Sequence, residues 1–174
     1  MSELDPLPDE LLDRDQWVCW KLGTRDGKHM KLPIQADGDS LAKSNDPTTW
    51  GDLDSVADTA DGRRLGIGFV FSDDDPYVGV DLDNCRDSDT SELDDWAQQV
   101  VDRLDSYTEI SPSGTGLHII LRDVEVPNWW TNQKDGERQI EVYDSARFFT
   151  VTADPVEGTP GECRSPPEFN DWLR

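Results

Sequence analysis

Two carboxylates alternate with apolar residues in the stretch Val78-Gly79-Val80-Asp81-Leu82-Asp83. Because successive side chains of a β-strand point to opposite faces, Asp81 and Asp83 are expected to share one face of a strand. Two such carboxylates repel each other unless a cation lies between them, and carboxylate oxygens beside phosphate-bearing substrates are typical of Mg²⁺ or Mn²⁺ sites. Gly79 has no side chain and is expected to leave room beside them. The alternative is chance, because a chain this rich in acids contains Asp-x-Asp pairs that bind nothing.

Two later segments carry a histidine and a third carboxylate on the polar face of a predicted strand. His118 lies opposite the apolar residues of segment 117–121, and Glu141 lies opposite those of segment 140–143. Two or three carboxylates from neighbouring strands are enough to hold two metal ions about 3.5–4 Å apart, one activating a 3′-hydroxyl and the other holding a triphosphate. Glu141 and the two aspartates are therefore predicted metal ligands, with Mg²⁺ or Mn²⁺ as the predicted cofactor.

A loop of small residues precedes His118, with the sequence Ser111-Pro112-Ser113-Gly114-Thr115-Gly116. Backbone amides and hydroxyls in loops of this kind cradle phosphate oxygens. The loop is therefore predicted to deliver the phosphates of a nucleotide to His118. The alternative is that these residues form only a turn between two strands.

The elements that must position these residues are predicted from hydrophobic periodicity and from turn and capping residues. The first two strands read as a hairpin with Pro33 at an edge, and Asp46 with Pro47 reads as the start of a helix. Strands are predicted at residues 17–22, 28–34, 66–71, 77–83, 117–121, 139–143 and 148–152, and helices at residues 9–13, 46–60, 91–104 and 167–173. Short turns join several of the strands, which favours an α+β fold with a mainly antiparallel sheet and flanking helices over a doubly wound sheet.

The length of 174 residues favours a single domain. We predict an N-terminal extension at residues 1–15, a core at residues 16–155, and a tail with a short helix at residues 156–174. The acidic N-terminus and the lack of about 18 consecutive apolar residues predict neither secretion nor membrane insertion. The three cysteines lack paired spacing, so reduced thiols and a cytoplasmic protein are expected.

The charge balance is extreme, because 38 Asp and Glu against 16 Lys and Arg give a net charge of -22 at pH 7. Self-repulsion on this scale destabilises a compact state in dilute buffer. Concentrated salt removes the problem, since the screening length falls to roughly 3 Å at about 1 M. A halophilic protein is therefore predicted. The alternative, an acidic interaction protein or nucleic-acid mimic, is expected to gather its acids in blocks, and only Asp73-Asp74-Asp75 forms such a run.

The chain resembles the archaeo-eukaryotic primase superfamily in three motifs. These are Asp81-x-Asp83, then Ser113-Gly114-x-Gly116-x-His118, then a strand acid at Glu141. Further segments are similar to the primase-polymerase branch found in phages, plasmids and prokaryotic replication modules, namely Trp17-Val18-x-Trp20, Lys31-x-Pro33, Lys43-Ser44-Asn45-Asp46-Pro47 with Trp50, Gly66-Ile67-Gly68-Phe69-Val70-Phe71, Tyr107-x-Glu109-x-Ser111-Pro112-Ser113 and Arg147-Phe148-Phe149-Thr150-Val151-Thr152. The likeness runs in order from about residue 17 to residue 152, and the acidity indicates a haloarchaeal type.

This resemblance implies an RRM-like catalytic core and template-directed nucleotidyl transfer, as in a bifunctional DNA primase and polymerase of DNA replication. It implies that Asp81, Asp83 and Glu141 are catalytic metal ligands and that His118 contacts the phosphates of the incoming nucleotide. The nucleotide pocket is further expected to contain Ser113, Gly114, Thr115, Gly116, Lys31, Lys43 and Arg147. The implied partners are nucleoside triphosphates, a single-stranded or primed DNA template, and a replicative helicase.

Several alternatives stay open at the level of sequence. The three basic residues of the pocket have surface solvation as their alternative role, and Trp129-Trp130 is expected either to stack on template bases or to pack beneath the sheet. One rival function is a non-catalytic nucleotide- or single-stranded-nucleic-acid-binding module, against which the intact set of acids argues. Another is a metal-dependent nuclease or a rolling-circle initiator, but the initiator needs a histidine pair around one apolar residue, and neither His29 nor His118 has such a neighbour.

Overall fold

The protein is described by a computed structural model at residues 3–136 and 138–174. The strands are β1 (Trp17–Arg25), β2 (Lys28–Ile34), β3 (Gly66–Phe71), β4 (Tyr77–Asp83), β5 (Tyr107–Ile110), β6 (Leu117–Arg122), β7 (Gln133–Asp135), β8 (Arg138–Tyr143) and β9 (Arg147–Val151). The helices are α1 (Asp9–Leu12), α2 (Leu53–Arg63), α3 (Asp95–Leu104) and α4 (Phe169–Trp172), with a short 3₁₀ helix at Pro47–Thr49.

The strands form two antiparallel sheets. The first sheet has the order β2-β1-β3-β9, and the second has the order β5-β6-β4-β8-β7. The successive strands β3 and β4 lie in different sheets, so the turn at residues 72–76 carries the chain from one sheet to the other. The predicted α+β fold with mainly antiparallel strands is confirmed, and the structure adds the division of the strands between two sheets.

Large apolar side chains from both sheets form one core. Trp17 and Phe69 of the first sheet and Ile120 of the second belong to it, and each is at most 1% exposed. Leu11 of α1 and Val56 of α2 pack into the same core. Burial of each large apolar side chain stabilises folding by about 1.5–3 kcal/mol, so this core holds the two sheets together.

The other face of the second sheet packs against α3 and α4. Its buried side chains are Val78, Val80, Leu82, Leu117, Ile119 and Leu121 from β4 and β6, and the helices contribute Ala97, Val100, Val101, Leu104, Phe169 and Leu173. Because side chains alternate along a strand, the residues between these apolar positions point away from the helices. Asp81 and His118 are therefore turned toward the first sheet.

The second helix begins later than its sequence predicts. It starts at Leu53 with Asp52 as its N-cap, whereas Asp46 caps the short 3₁₀ helix before it. The reason is a backbone pairing of Gly51 with Trp17, through two hydrogen bonds of 3.0 and 2.9 Å. This pairing holds the chain extended at the point where a continuous helix was predicted.

The third helix also begins late, and two short strands were not predicted. Leu93 pairs with Arg86 in an isolated bridge, so α3 starts at Asp95 instead of Ser91. The strands β5 and β7 carry polar residues without the apolar alternation that identifies a half-buried strand. Their pairing with β6 and β8 is decided by neighbours that are distant in sequence.

The predicted hairpin is confirmed. The register of β1 and β2 runs from Cys19 opposite Ile34 to Arg25 opposite Lys28. Asp26 and Gly27 connect the strands with φ angles of 52° and 77°, which is the backbone of the two-residue turn that favours an aspartate followed by glycine. The strand β2, which contains Pro33, is an edge strand of the first sheet.

The two ends of the described chain pack onto the cores. Leu7 and Leu11 from the predicted N-terminal extension lie in the core between the two sheets, which we call the first core. Phe169 and Leu173 from the predicted tail lie in the core between the second sheet and the helices α3 and α4, which we call the second core. The domain boundaries at residues 15 and 155 stay a prediction. Within the described ranges, no helix combines the length and apolarity needed to cross a bilayer.

Candidate active site

Strand order brings three of the predicted site residues side by side. The strand β4 lies between β6 and β8, and Asp81 is directly opposite His118 on one side and Glu141 on the other. Side chains of directly opposed residues in antiparallel strands lie on the same face. Asp83 follows on that face, opposite Gln139. The predicted grouping of the two aspartates, His118 and Glu141 is thus present in the structure.

The imidazole of His118 is held in one orientation. Its Nδ1 lies 2.9 Å from the carbonyl oxygen of Thr150, which can only accept a hydrogen bond, so Nδ1 is the donor. The ring stacks on Phe149, with centroids 4.7 Å apart and planes inclined by 26°. The other nitrogen, Nε2, consequently faces Asp81, with Oδ1 of Asp81 at 3.5 Å.

Asp81 is the most perturbed acid of this group. Burial raises its pKa to about 6, and the negative charges of Asp83 and Glu141 add to the effect, whereas His118 and Lys31 oppose it. Its Oδ1 is buried and has no hydrogen-bond partner among the described residues. A buried carboxylate oxygen without a partner is costly, and a cation at this position would satisfy it.

Asp83 and Glu141 differ in how they are held. Burial raises the pKa of Asp83, and the nearby charge of Glu141 raises it further. The carboxylate of Glu141 accepts hydrogen bonds from Nε2 of Gln139 and from the hydroxyl of Tyr143. Burial raises the pKa of Tyr143, and its hydrogen bond to Glu141 and the charge of that carboxylate raise it further.

The donor atoms fit Mg²⁺ or Mn²⁺ in chemical type, because both ions prefer carboxylate oxygens. Their present arrangement is not closed around an ion. In the part of the chain that the structure describes, no group of three or more His, Cys, Asp or Glu side chains is spaced to hold a metal. Glu141 would have to exchange its bonds to Gln139 and Tyr143 for a metal ion in order to join the two aspartates.

A cleft of about 460 Å³ opens in front of Asp81, His118 and Glu141, and it is lined from both sheets. Two of the three predicted basic residues, Lys31 and Arg147, line it. Their cationic groups lie over aromatic rings, 5.6 Å from the centre of the Trp20 ring and 4.9 Å from that of Tyr143. The cleft therefore contains two cations together with Asp81 and Glu141.

Lys43 does not line this cleft. Its backbone carbonyl accepts hydrogen bonds from Nε1 of Trp50 and from the hydroxyl of Thr49, and its side chain is exposed. The next residue, Ser44, donates to the carbonyl oxygen of Ala146 at 3.0 Å, directly before Arg147. The segment is thus tied to the rim of the cleft, although the lysine itself is outside it.

The loop at residues 111–116 lies beside Asp83. A Cβ atom on Gly116 would be 3.6 Å from Oδ1 of Asp83. The amides of Ser111, Gly114, Thr115 and Gly116 all donate to acceptors within the loop itself. The hydroxyls of Ser113 and Thr115 bond to each other at 2.9 Å. In this arrangement these four amides are occupied, whereas the hydroxyls could exchange partners for a phosphate.

Gly79 leaves no open room beside the carboxylates, contrary to the prediction. A Cβ atom there would be 2.5 Å from the ring of Phe149 and 2.7 Å from that of Phe71. Phe149 comes from the first sheet and is the ring on which His118 stacks. The absent side chain thus permits close approach of the two sheets at the site.

Glu109 is a site residue to which sequence reasoning assigned no role. It is 1% exposed, and its Oε1 lies 3.8 Å from Nδ1 of His118. It accepts hydrogen bonds from the backbone N–H groups of Thr152 and Ala153 and from the hydroxyl of Tyr107. A glutamate between strand-forming residues, nine positions before the histidine, was the available signal.

The tryptophan pair lies away from the cleft. Trp130 stacks on Trp172 of α4 with ring centroids 6.4 Å apart and packs against the second core. Trp129 is 53% exposed and lines a separate pocket with Trp130 and Leu173. The role of Trp130 is therefore to pack against α4 beneath the second sheet. Neither tryptophan ring lies where it could stack on a template base at the cleft.

Comparison with known proteins relates the chain to a phage protein. No family model matches the chain. The chain is 36% identical over 146 residues to the DNA primase-polymerase of Nitratiruptor phage NrS-1, and the alignment covers 82% of this chain. It covers 20% of the phage protein, so the chain spans about a fifth of the length of the relative that it matches. This similarity supports the primase-polymerase family for the chain.

Proposed function

We propose that this chain is the catalytic domain of a DNA primase-polymerase, which transfers nucleotides to a 3′ end on a DNA template. The observation that carries the proposal is the position of Asp81 between His118 and Glu141, with a buried carboxylate oxygen that lacks a partner. The similarity to the phage primase-polymerase points the same way.

The residues of the site divide the work of nucleotidyl transfer. Two divalent cations held by Asp81, Asp83 and Glu141 would activate the 3′-hydroxyl and neutralise charge on the triphosphate. Lys31 and Arg147 line the same cleft and would attract the phosphates. His118 faces the cleft in a fixed orientation because Nδ1 is bonded to the Thr150 carbonyl. Its Nε2, on the side of Asp81, would contact a phosphate oxygen of the nucleotide.

We also propose that the domain works in concentrated salt. The supporting observation is a net charge of -22 together with acids that are interleaved along the chain and not gathered in blocks. A haloarchaeal source is a further part of the proposal and rests on the acidity of the chain. A replicative helicase partner is another part and rests on the resemblance described above.

Extension of a labelled primer on a DNA template tests the proposed activity. We expect extension in strong KCl with Mg²⁺ or Mn²⁺, and a loss of at least about a hundredfold in Asp81→Asn plus Asp83→Asn, because the metal ligands carry the chemistry. The matched control is Asp58→Asn plus Asp61→Asn, which removes two exposed acids from α2. Full activity of the first variant would refute the mechanism.

A second variant separates nucleotide binding from metal binding. We expect His118→Ala to raise the KM for nucleotide strongly, while the metal concentration needed for half-maximal activity changes little, because His118 is not a proposed metal ligand. An unchanged KM would remove His118 from the nucleotide site. Comparison of deoxyribonucleotides with ribonucleotides in the same assay identifies the preferred substrate.

One observation favours a second candidate, a non-catalytic nucleotide-binding module. Glu141 is engaged by Gln139 and Tyr143, and the three acids are not closed around a metal position. In that case the protein would bind nucleotide or single-stranded DNA without extending a primer at any metal concentration. Primer extension by the wild-type protein excludes this candidate.

A further inference from the structure

The β1–β2 hairpin is the one segment where this acidic protein gathers positive charge in the described chain. Residues 17–34 contain Lys21, Arg25, Lys28 and Lys31 and a single acid, Asp26. The hairpin thus carries four of the 16 Lys and Arg residues and one of the 38 acids. A net positive hairpin in a chain of charge -22 attracts polyanions that the rest of the surface repels.

The cations of the hairpin are free to contact a partner. Several arginines elsewhere are paired with acids, as in Arg63–Asp39, Arg122–Glu10 and Arg164–Asp105. At residues 3–136 and 138–174, Lys21, Arg25 and Lys28 make no ion pair, and all three are exposed. Their charges are therefore not neutralised by the protein itself.

The hairpin also borders the candidate active site. Leu22, His29, Met30 and Lys31 line the cleft in front of Asp81. Leu22 is 74% exposed and Met30 is 41% exposed, so both apolar side chains are accessible to a partner. Lys31 is directly opposite Leu22 in the hairpin and shares its face. Arg25 lies three residues beyond Leu22, about 10 Å along the strand, and points to the other face together with its partner Lys28. Positive charge thus lies on both faces of the hairpin between the cleft and the turn.

We propose that the β1–β2 hairpin binds the single-stranded DNA template and guides it to the cleft. This inference rests on the proposed function, because a nucleotidyl transfer site requires a template beside the nucleotide. Exposed cations match the phosphates of the strand, and the exposed Leu22 and Met30 offer apolar contact to unpaired bases. A duplex hides its bases, so the combination fits a single strand better.

Binding of a labelled single-stranded oligonucleotide, measured by fluorescence anisotropy without metal ions, tests the surface independently of catalysis. The variant is Arg25→Gln plus Lys28→Gln, two opposed residues at the end of the hairpin next to the unchanged turn. We expect an affinity loss of at least about fivefold at 0.1 M KCl and a logarithmic salt slope shallower by about 1.4, since each contacted phosphate contributes about 0.7.

The matched control is Arg64→Gln plus Arg103→Gln, which removes the same charge from exposed positions at the ends of α2 and α3. An equal loss in control and variant, or no loss in either, would overturn the proposal. So would a loss confined to duplex DNA, or a wild-type protein that binds no single strand. Lys21→Gln, at the base of the hairpin, provides a second variant if the double variant melts at a lower temperature.

The outcome separates this inference from the proposed function. If the hairpin variant loses single-strand affinity but the wild-type protein extends no primer, the binding surface stands and the catalytic proposal fails. If the wild-type protein extends primers and the hairpin variant binds template normally, the template path lies elsewhere.

Discussion

Oε1 of Glu109 lies 3.8 Å from Nδ1 of His118, and both side chains are buried. The same carboxylate accepts the backbone N–H groups of Thr152 and Ala153, which follow Thr150 at the end of β9. The Thr150 carbonyl is the acceptor that orients the imidazole. Glu109 therefore holds the backbone segment that contains the Thr150 carbonyl, and this carbonyl in turn orients His118. Glu109 also places a negative charge beside the imidazole ring.

We expect Glu109→Gln to lower both stability and nucleotide use. An amide puts an N–H donor where a carboxylate oxygen accepted one, so at least one buried hydrogen bond is lost, at a cost of about 1–3 kcal/mol. The melting temperature should fall, and in the folded protein the KM for nucleotide should rise more than kcat falls. A variant with normal KM would show that Glu109 is only structural.

Thr150→Val provides the control for this prediction. It keeps the backbone carbonyl that accepts from His118 but removes a buried hydroxyl that has no partner among the described residues. Loss of an unsatisfied buried polar group is neutral or stabilising. Its melting temperature should therefore be equal to or above that of the wild-type protein.

Asp81→Asn should stabilise the metal-free protein at neutral pH. The pKa of Asp81 is raised to about 6, so the folded state holds its proton more tightly than the unfolded state. Its contribution to stability is fully present below the unfolded pKa of about 4 and is lost as the pH rises through about 6, which amounts to about 2–3 kcal/mol at most. The stabilisation by asparagine should thus appear at pH 7 and shrink toward pH 4.

Thermal melting across this pH range, with Asp58→Asn as an exposed control, checks the prediction. Addition of Mn²⁺ gives a second measurement on the same samples. A ligand at about 100 times its dissociation constant stabilises the folded state by about 2.7 kcal/mol, so the wild-type melting temperature should rise and that of Asp81→Asn should not. Equal shifts in the two proteins would place the metal elsewhere.

Gly79→Ala should destabilise the fold and disturb the histidine. The added methyl would overlap the rings of Phe149 and Phe71, and overpacking of this kind costs about 1–3 kcal/mol. Because Phe149 supports His118, primer extension should fall as well. The matched control is Gly62→Ala in α2, where nothing lies within 4 Å of the new methyl and alanine favours the helix by about 1 kcal/mol. Equal melting temperatures in the two variants would contradict this account.

Stability should rise with KCl. The screening length falls from about 10 Å at 0.1 M to about 3 Å at 1 M, which relieves repulsion in a domain of charge -22. We expect the melting temperature to increase over that range. Asp73→Asn plus Asp74→Asn removes two exposed charges next to Asp75 and should show a smaller increase. A stability maximum below about 0.2 M would exclude a halophilic protein and leave the metal site unaffected.

The sequence by itself determined which residues share a face. The alternation in segments 77–83, 117–121 and 139–143 is local, because a strand turns each side chain through half a revolution whatever it pairs with. That rule was sufficient to predict Asp81 and Asp83 on one face, and His118 and Glu141 on the polar faces of their own strands. The hairpin was equally local, since Asp26-Gly27 favours its turn.

The tertiary structure alone decided which faces meet. The order β6-β4-β8 puts Asp81 between His118 and Glu141, and this order depends on pairings between residues up to about 60 positions apart. The sequence also could not predict the surroundings of Gly79, because the ring that fills the space beside it, that of Phe149, comes from β9 of the other sheet. Glu109 gained its role only when the end of β9 folded onto β5 and brought two backbone N–H groups to its carboxylate. Periodicity reports the direction of a side chain, whereas its neighbours are set by the packing of distant segments, and only the folded chain contains that information.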